Sequence, residues 1–191
     1  IVGTPAAGRE HKDLENQIGF YVNMLPLRNQ LQGHQDFAEV LQMIDDSTLE
    51  SLSHQVYPFD LLVHELKLAT DMSRSPLVDV VVSFDSIDNQ MRYTDDPDSP
   101  GTNGRDDLFE SGTEASKHDL RLRFMDLGDT VMVHIRYNPQ LFKKERILVI
   151  KERLTALIKS IIAGIDQKID DLPFISALEM EKPKNKFKGG F

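Results

Sequence analysis

The chain has 191 residues, of which 40% are hydrophobic and none is cysteine, and its formal charge at neutral pH is -9. Without cysteine there is no disulfide, no thiol nucleophile and no thiolate zinc site, so packing alone must hold the fold. The acidity speaks against nucleic acid as a partner, because phosphate neutralisation needs clustered Lys and Arg. No run approaches the roughly 20 apolar residues of a bilayer span. The opening IVGTPAAGRE lacks the basic-then-apolar pattern of a signal peptide, which makes a cytoplasmic protein the expectation.

From Ile18 to Arg28, Phe20, Val22 and Met24 alternate with Tyr21, Asn23 and Leu25, the period-two pattern of a strand. Pro26 has no N–H for a ladder, so the strand must end, bulge or run along an edge there. Asp36 stands three residues before Glu39 as in a capping box, and Phe37, Val40, Leu41, Ile44, Thr48 and Leu52 recur at helical spacing, which predicts a helix of four or five turns. Pro58 suits the start of a second, shorter helix carrying Phe59, Leu62, Val63 and Leu66 on one face.

A further strand is predicted over Leu77 to Phe84, with Val78, Val80, Val82 and Phe84 on one side. Asp85 to about Ala115 then forms an acidic stretch with little periodicity, long for a loop within a compact domain. Leu120, Leu122 and Phe124, followed by Val131, Val133, Ile135 and Tyr137, predict a hairpin turning at Leu127, Gly128 and Asp129. The stripe Ile147, Ile150, Leu154, Leu157, Ile158, Ile161 and Ile162 predicts a helix from about Lys143 to Ala163, with Gly164 as its C-cap. Strands alternating with helices point to the α/β class.

A chain that performs transfer or hydrolysis alone needs a nucleophile, a base and an orienting group, or a set of metal ligands. The six histidines, at 11, 34, 54, 64, 118 and 134, show neither H-x-H nor H-E-x-x-H spacing. Ser116 and His118 would share one face of a strand and Asp119 the other, which is poor geometry for a triad. His134 falls opposite Val133 and Ile135, on the side of Met132 and Arg136, as a surface or interface histidine. No self-sufficient active site is legible.

Three segments in fixed order carry a resemblance: IGFYVNMLPLR (18–28), HQVYPFD (54–60) and TDMSRSPL (70–77). Together they resemble the last three signature motifs of the condensation domain of nonribosomal peptide synthetases, within the chloramphenicol acetyltransferase-like superfamily. SKHDLRLRF (116–124) and YNPQLF (137–142) add to the likeness. Tyr57, Pro58, Phe59 and Asp60 favour condensation over the related epimerisation domains. Val56, Met24 and His118 depart from the family's usual acid, Thr and aromatic. The family's catalytic His-His-x-x-x-Asp-Gly motif is absent, since no His-His pair occurs here.

The resemblance implies the C-terminal subdomain of such a fold over residues 1–178, a mixed sheet flanked by helices, with a latch-like acidic loop at 85–115 and a basic linker at 179–191 toward a following domain. It implies a part of the enzyme that joins carrier-bound aminoacyl groups, inactive by itself, with no cofactor bound directly and the phosphopantetheine arms of partner carrier proteins entering a tunnel. Asn23, Arg28, Tyr57, Asp71, Ser73 and Arg74 are the tunnel or interface candidates, with an Asp71–Arg74 ion pair as one role for the last of them. The partners implied are the N-terminal half of the same domain, peptidyl carrier proteins and an adenylation domain, with self-association of the isolated piece. The alternatives are a non-catalytic module docking carrier proteins or tailoring enzymes, and a superfamily acyltransferase using free thioesters.

Overall fold

The computed structural model describes residues 1–67, 75–86 and 118–173. Most of the expected acidic latch, the 179–191 linker, and Asp71, Ser73 and Arg74 lie outside those residues. The chain divides into two compact units, one of Ile1–Asn29 with Asp46–Phe142 and one of Gln30–Asp45 with Lys143–Phe191.

The first unit holds a five-stranded mixed sheet in the order β2-β1-β3-β4-β5. Its strands are β1 (Val2–Ala6), β2 (Asn23–Leu27), β3 (Val80–Asp85), β4 (Leu120–Asp126) and β5 (Val131–Tyr137). The strand pattern at Ile18 to Arg28 shrinks to Asn23–Leu27, and Pro26 sits on the edge strand, opposite Gly3 in an antiparallel ladder. An edge strand is where a residue without an N–H is tolerated in a sheet.

Strand β1 has no counterpart among the predicted elements, because Gly3 and Pro5 break any apolar alternation. Its neighbours make it a strand: β2 runs antiparallel on one side, while a single parallel pair, Gly3 with Val81, joins it to β3 on the other. Glycine is required there. A Cβ on residue 3 would meet Val78 Cγ1 at 2.5 Å and Met24 Sδ at 2.9 Å.

Strands β3 and β4 pair in parallel, and β4 and β5 form the predicted hairpin. The Leu127 N–H donates to the Thr130 carbonyl at 2.9 Å across its turn, and Gly128 supplies φ +88. Ladder partners share a face. One face carries Val80, Val82, Phe84, Leu120, Leu122, Phe124, Val131, Val133, Ile135 and Tyr137, apolar residues interrupted by Asp126 at the hairpin end. The other carries Val81, Ser83, Asp85, Arg121, Arg123, Met125, Met132, His134 and Arg136, as the alternation around His134 required. On β3 the buried residues belong to this mixed face: Val81 is 2% exposed and Ser83 7%, whereas Phe84 is 64% exposed. Ala6, Leu25, Val78 and Met125 are the other buried apolar residues described in this unit.

Helix α1 (Phe37–Ser53) begins in the second unit and ends in the first. The predicted capping box forms reciprocally: the Asp36 N–H donates to Glu39 Oε2 at 3.2 Å, and the Glu39 N–H donates to Asp36 Oδ1 at 2.8 Å. Within the second unit the chain before α1 pairs with the chain beyond helix α3 (Lys144–Ala163), through Phe37 N–H to Gln167 O at 3.0 Å and Ile169 N–H to Gln35 O at 2.9 Å. Val40, Ile147 and Leu172 are its buried apolar residues among those described. Gly164 caps α3 in an extended conformation, φ -169, not in the left-handed one that usually selects glycine.

Candidate functional site

The loop from β1 to β2 folds around one cation. Gly8 turns the chain with φ +65, at a point where any Cβ would collide with the Tyr21 carbonyl. The guanidinium of Arg9 donates to the carbonyls of Leu14 and Gly19 and lies 4.4 Å from the centre of the Tyr21 ring. The Tyr21 hydroxyl donates to Gln17 Oε1 at 3.0 Å. Arg9 therefore ties both ends of the 9–21 loop to each other, and this presents Ile18, Phe20 and Val22 outward.

Asn23, the first residue of β2, fastens this loop to the second motif. Its Nδ2 donates to the carbonyls of Gln55 at 2.8 Å and Tyr57 at 2.7 Å. Its Oδ1 accepts from Phe59 N–H at 3.2 Å and from Met24 N–H at 3.0 Å. Two donors and two lone pairs are the whole capacity of a carboxamide. Asn23 is thus fully occupied by backbone, and the Phe59 N–H it accepts is one that helix α2 (Phe59–Glu65) leaves without an intrahelical partner.

Two clefts flank this fastening. One, of about 660 Å³, is lined by Glu10, Tyr21, Val22, Asn23, Gln55 and Val56. The other, of about 520 Å³, is lined by Met24, Arg28, Glu50, His54, Tyr57 and Phe59. Arg28 and Tyr57 meet in the second cleft and Asn23 faces the first, so three of the candidates fall within one neighbourhood. Glu65 raises the Tyr57 phenol above its ordinary pKa, chiefly through a hydrogen bond from the phenol to its carboxylate, with loss of water contact and the carboxylate's charge adding to it.

Val22 and Val56, two apolar residues lining the first cleft, are open to solvent, and so are Ile18 and Phe20 on the chain just before Val22. Ile18 is fully exposed, Phe20 is 90% exposed, Val56 72% and Val22 49%. Large apolar side chains left this exposed mark surfaces that a monomer normally covers. Sequence reasoning missed Arg9, Tyr21 and Gln55; the Gly-Arg pair at 8–9 ahead of an aromatic-rich stretch was the available signal. Among the described residues no group of three or more His, Asp or Glu could hold a metal ion, and no helix is long and apolar enough to cross a membrane.

Comparison with known proteins gives a consistent picture. The family model described as Condensation domain matches residues 1–182. Bacitracin synthase 1 of Bacillus licheniformis is 31% identical over 182 residues, covering 95% of this chain and 3% of the synthase. Gramicidin S synthase 2 of Aneurinibacillus migulanus is 30% identical over 190 residues, covering 99% of this chain and 4% of the synthase. The chain thus spans a few per cent of these relatives. Among solved structures, a holo four-domain nonribosomal peptide synthetase bound to AMP and glycine superposes with a TM-score of 0.76 at 18% identity, over 91% of this chain and 14% of that one. The X-domain from teicoplanin biosynthesis superposes with a TM-score of 0.75 at 22% identity, over 90% of this chain and 38% of that one.

Proposed function

The chain belongs to the condensation-domain family, and from that premise we propose that it supplies one wall of the cleft in which a carrier-bound acyl thioester and a carrier-bound amine are joined. In such a reaction the amine nitrogen attacks the thioester carbonyl and a C–N bond forms. The C–S bond then breaks, and the amine's proton leaves with the thiol. The carrier's phosphopantetheine arm presents the thioester when bound. The walls of the first cleft suit an arm built of amides and methylenes, since Val22 and Val56 are apolar while Gln55 offers a carboxamide.

What these residues contribute is shape. Asn23 fixes Gln55, Tyr57 and Phe59 against β2, and Arg9 fixes the loop carrying Phe20 and Val22, so the wall is set before a substrate arrives. Holding two tethered reactants in reach is a large part of the rate gain in such a step. The observation that carries the reading is the exposure of Ile18, Phe20, Val22 and Val56, the last two lining the first cleft, as apolar residues left for a partner to cover. We assign the cover to the remainder of the condensation fold, which also supplies the reactive histidine, as no His-His pair occurs in these 191 residues. The proposed partners are therefore that remainder, peptidyl carrier proteins and an adjoining adenylation domain, in a cytoplasmic assembly, with the 191-residue chain self-associating through these exposed apolar residues when alone. Residues 85–115 are proposed as a latch, residues 179–191 as a linker, and Asp71, Ser73 and Arg74 as further wall or interface residues.

The test is amide formation between loaded carrier proteins, read by mass spectrometry, with the parent protein and with the 191-residue chain alone. Product from the parent only is expected, and product from the chain alone would overturn the reading. A second reading, a non-catalytic docking module, is favoured by the likeness to an X-domain that was solved in complex with OxyB. A parent that carries no His-His-x-x-x-Asp-Gly run would select it.

A further inference from the structure

Among the described residues, three polar atoms on the mixed face of the sheet are buried and have no hydrogen-bond partner: Ser83 Oγ, Arg121 Nε and His134 Nε2. They are neighbours. Ser83, Arg123 and His134 stand on one rung of β3, β4 and β5, and Arg121 stands two residues back on β4, between Val81 and Arg136. Adjacent rungs of this kind bring long side chains within reach of a common centre above the sheet. Ser83 is only 7% exposed, so its hydroxyl has already lost its water. A buried donor without a partner is costly, and each one calls for an explanation.

The charge on this face is opposite to that of the whole chain. Arg121, Arg123 and Arg136 project from it in a protein of net charge -9. Arg123 is paired with Asp85, and Arg136 has an interaction of its own. Arg121 is paired with nothing among the described residues.

We infer that this face binds a phosphate group, either free or as a small phosphate monoester, through Arg121, Ser83 and His134. The three unpartnered atoms can each donate a hydrogen bond, and a phosphate presents three strong acceptor oxygens where a carboxylate presents two. Arginine supplies the charge-assisted member of the set. Neutral His134 donates as its Nε2–H tautomer, and Asp85 stays on Arg123 at the edge of the site, leaving Arg121 without a counter-charge among the described residues. The inference rests on the sheet alone and is independent of the proposed reaction.

The test is calorimetric titration of the 191-residue chain at constant ionic strength with inorganic phosphate, phenyl phosphate and acetate as separate ligands. Saturable binding of inorganic phosphate, at millimolar concentration or below, is expected, and the comparison with phenyl phosphate tells free anion from monoester. Arg121→Gln should weaken it about tenfold or more. Ser83→Ala should weaken it severalfold while the unfolding midpoint holds, so a folding defect in the arginine variant cannot mask the result. Absence of saturable binding, equal affinity in both variants, or acetate binding as tightly as phosphate would overturn the inference. The last outcome would point instead to an acidic side chain of a neighbouring polypeptide.

Discussion

Replacing Asn23 by alanine tests whether the carboxamide is what joins β2 to the 55–59 segment. Three of its four bonds cross 32 to 36 residues of sequence, to Gln55, Tyr57 and Phe59, and the fourth is local. A hydrogen bond contributes a net 0.5–1.5 kcal/mol, and more when its loss strands a buried group. The bond to the Tyr57 carbonyl is exposed, so water replaces it and it counts at the low end; the other two long-range bonds are part-buried and count fully. The loss comes to about 2–3 kcal/mol, or roughly 4–12 °C in melting temperature for a chain of this length. Urea unfolding followed by circular dichroism, with Asn23→Asp in parallel, is the assay. Aspartate keeps the acceptor toward Phe59 but gives up both donors and places a charge beside two carbonyls, so it should destabilise at least as much as alanine. A loss below about 0.5 kcal/mol in Asn23→Ala, the scatter of ordinary surface substitutions, would refute the role given to this residue.

The histidine of the sheet face gives stability a pH dependence. Burial, then Arg123 and Arg136, hold His134 below its usual pKa of 6.5, so the folded chain prefers it neutral. The unfolded chain binds more protons once pH falls below about 6.5. This contribution is therefore complete above that value and is lost as pH drops toward the lowered folded value. Urea midpoints at pH 7.5 and 5.5 should fall further in the natural chain than in His134→Asn. Gly3→Ala forces a methyl against Val78 and Met24 and should cost about 1–3 kcal/mol in urea unfolding, as overpacking does. Arg9→Ala removes the cation from Tyr21 and two carbonyls, so limited proteolysis should cut within 9–21 faster than in the natural chain, while Arg9→Lys, able to keep only part of the contact, should fall between.

Short-range signals were legible in the sequence and long-range ones were not. The Asp36 and Glu39 pair announced the start of α1 because both partners of a capping box lie within one turn. The hairpin at 127–130 was legible for a similar reason, since its turn and its alternating strands are continuous in sequence. Strand β1 was not, because Gly3 and Pro5 disfavour a strand taken alone and only Met24, Pro26 and Val81 brought alongside make it one. Asn23 could be singled out by resemblance, yet its four bonds depend on a loop more than 30 residues away, and no spacing encodes that. The exposure of Phe84 is likewise invisible to alternation, which groups residues by side but does not say which side is covered.

The segment His54–Phe59 is a single thickness of chain with a chamber on either side. Gln55, Val56 and Pro58 line one, while His54, Tyr57 and Phe59 line the other. Such a party wall cannot be remodelled for one tenant without disturbing the next, since a bulkier residue on either side shifts a backbone that both rooms share. Variation along this hexapeptide should therefore be correlated across the partition, with gains of volume in one compartment matched by losses in its neighbour.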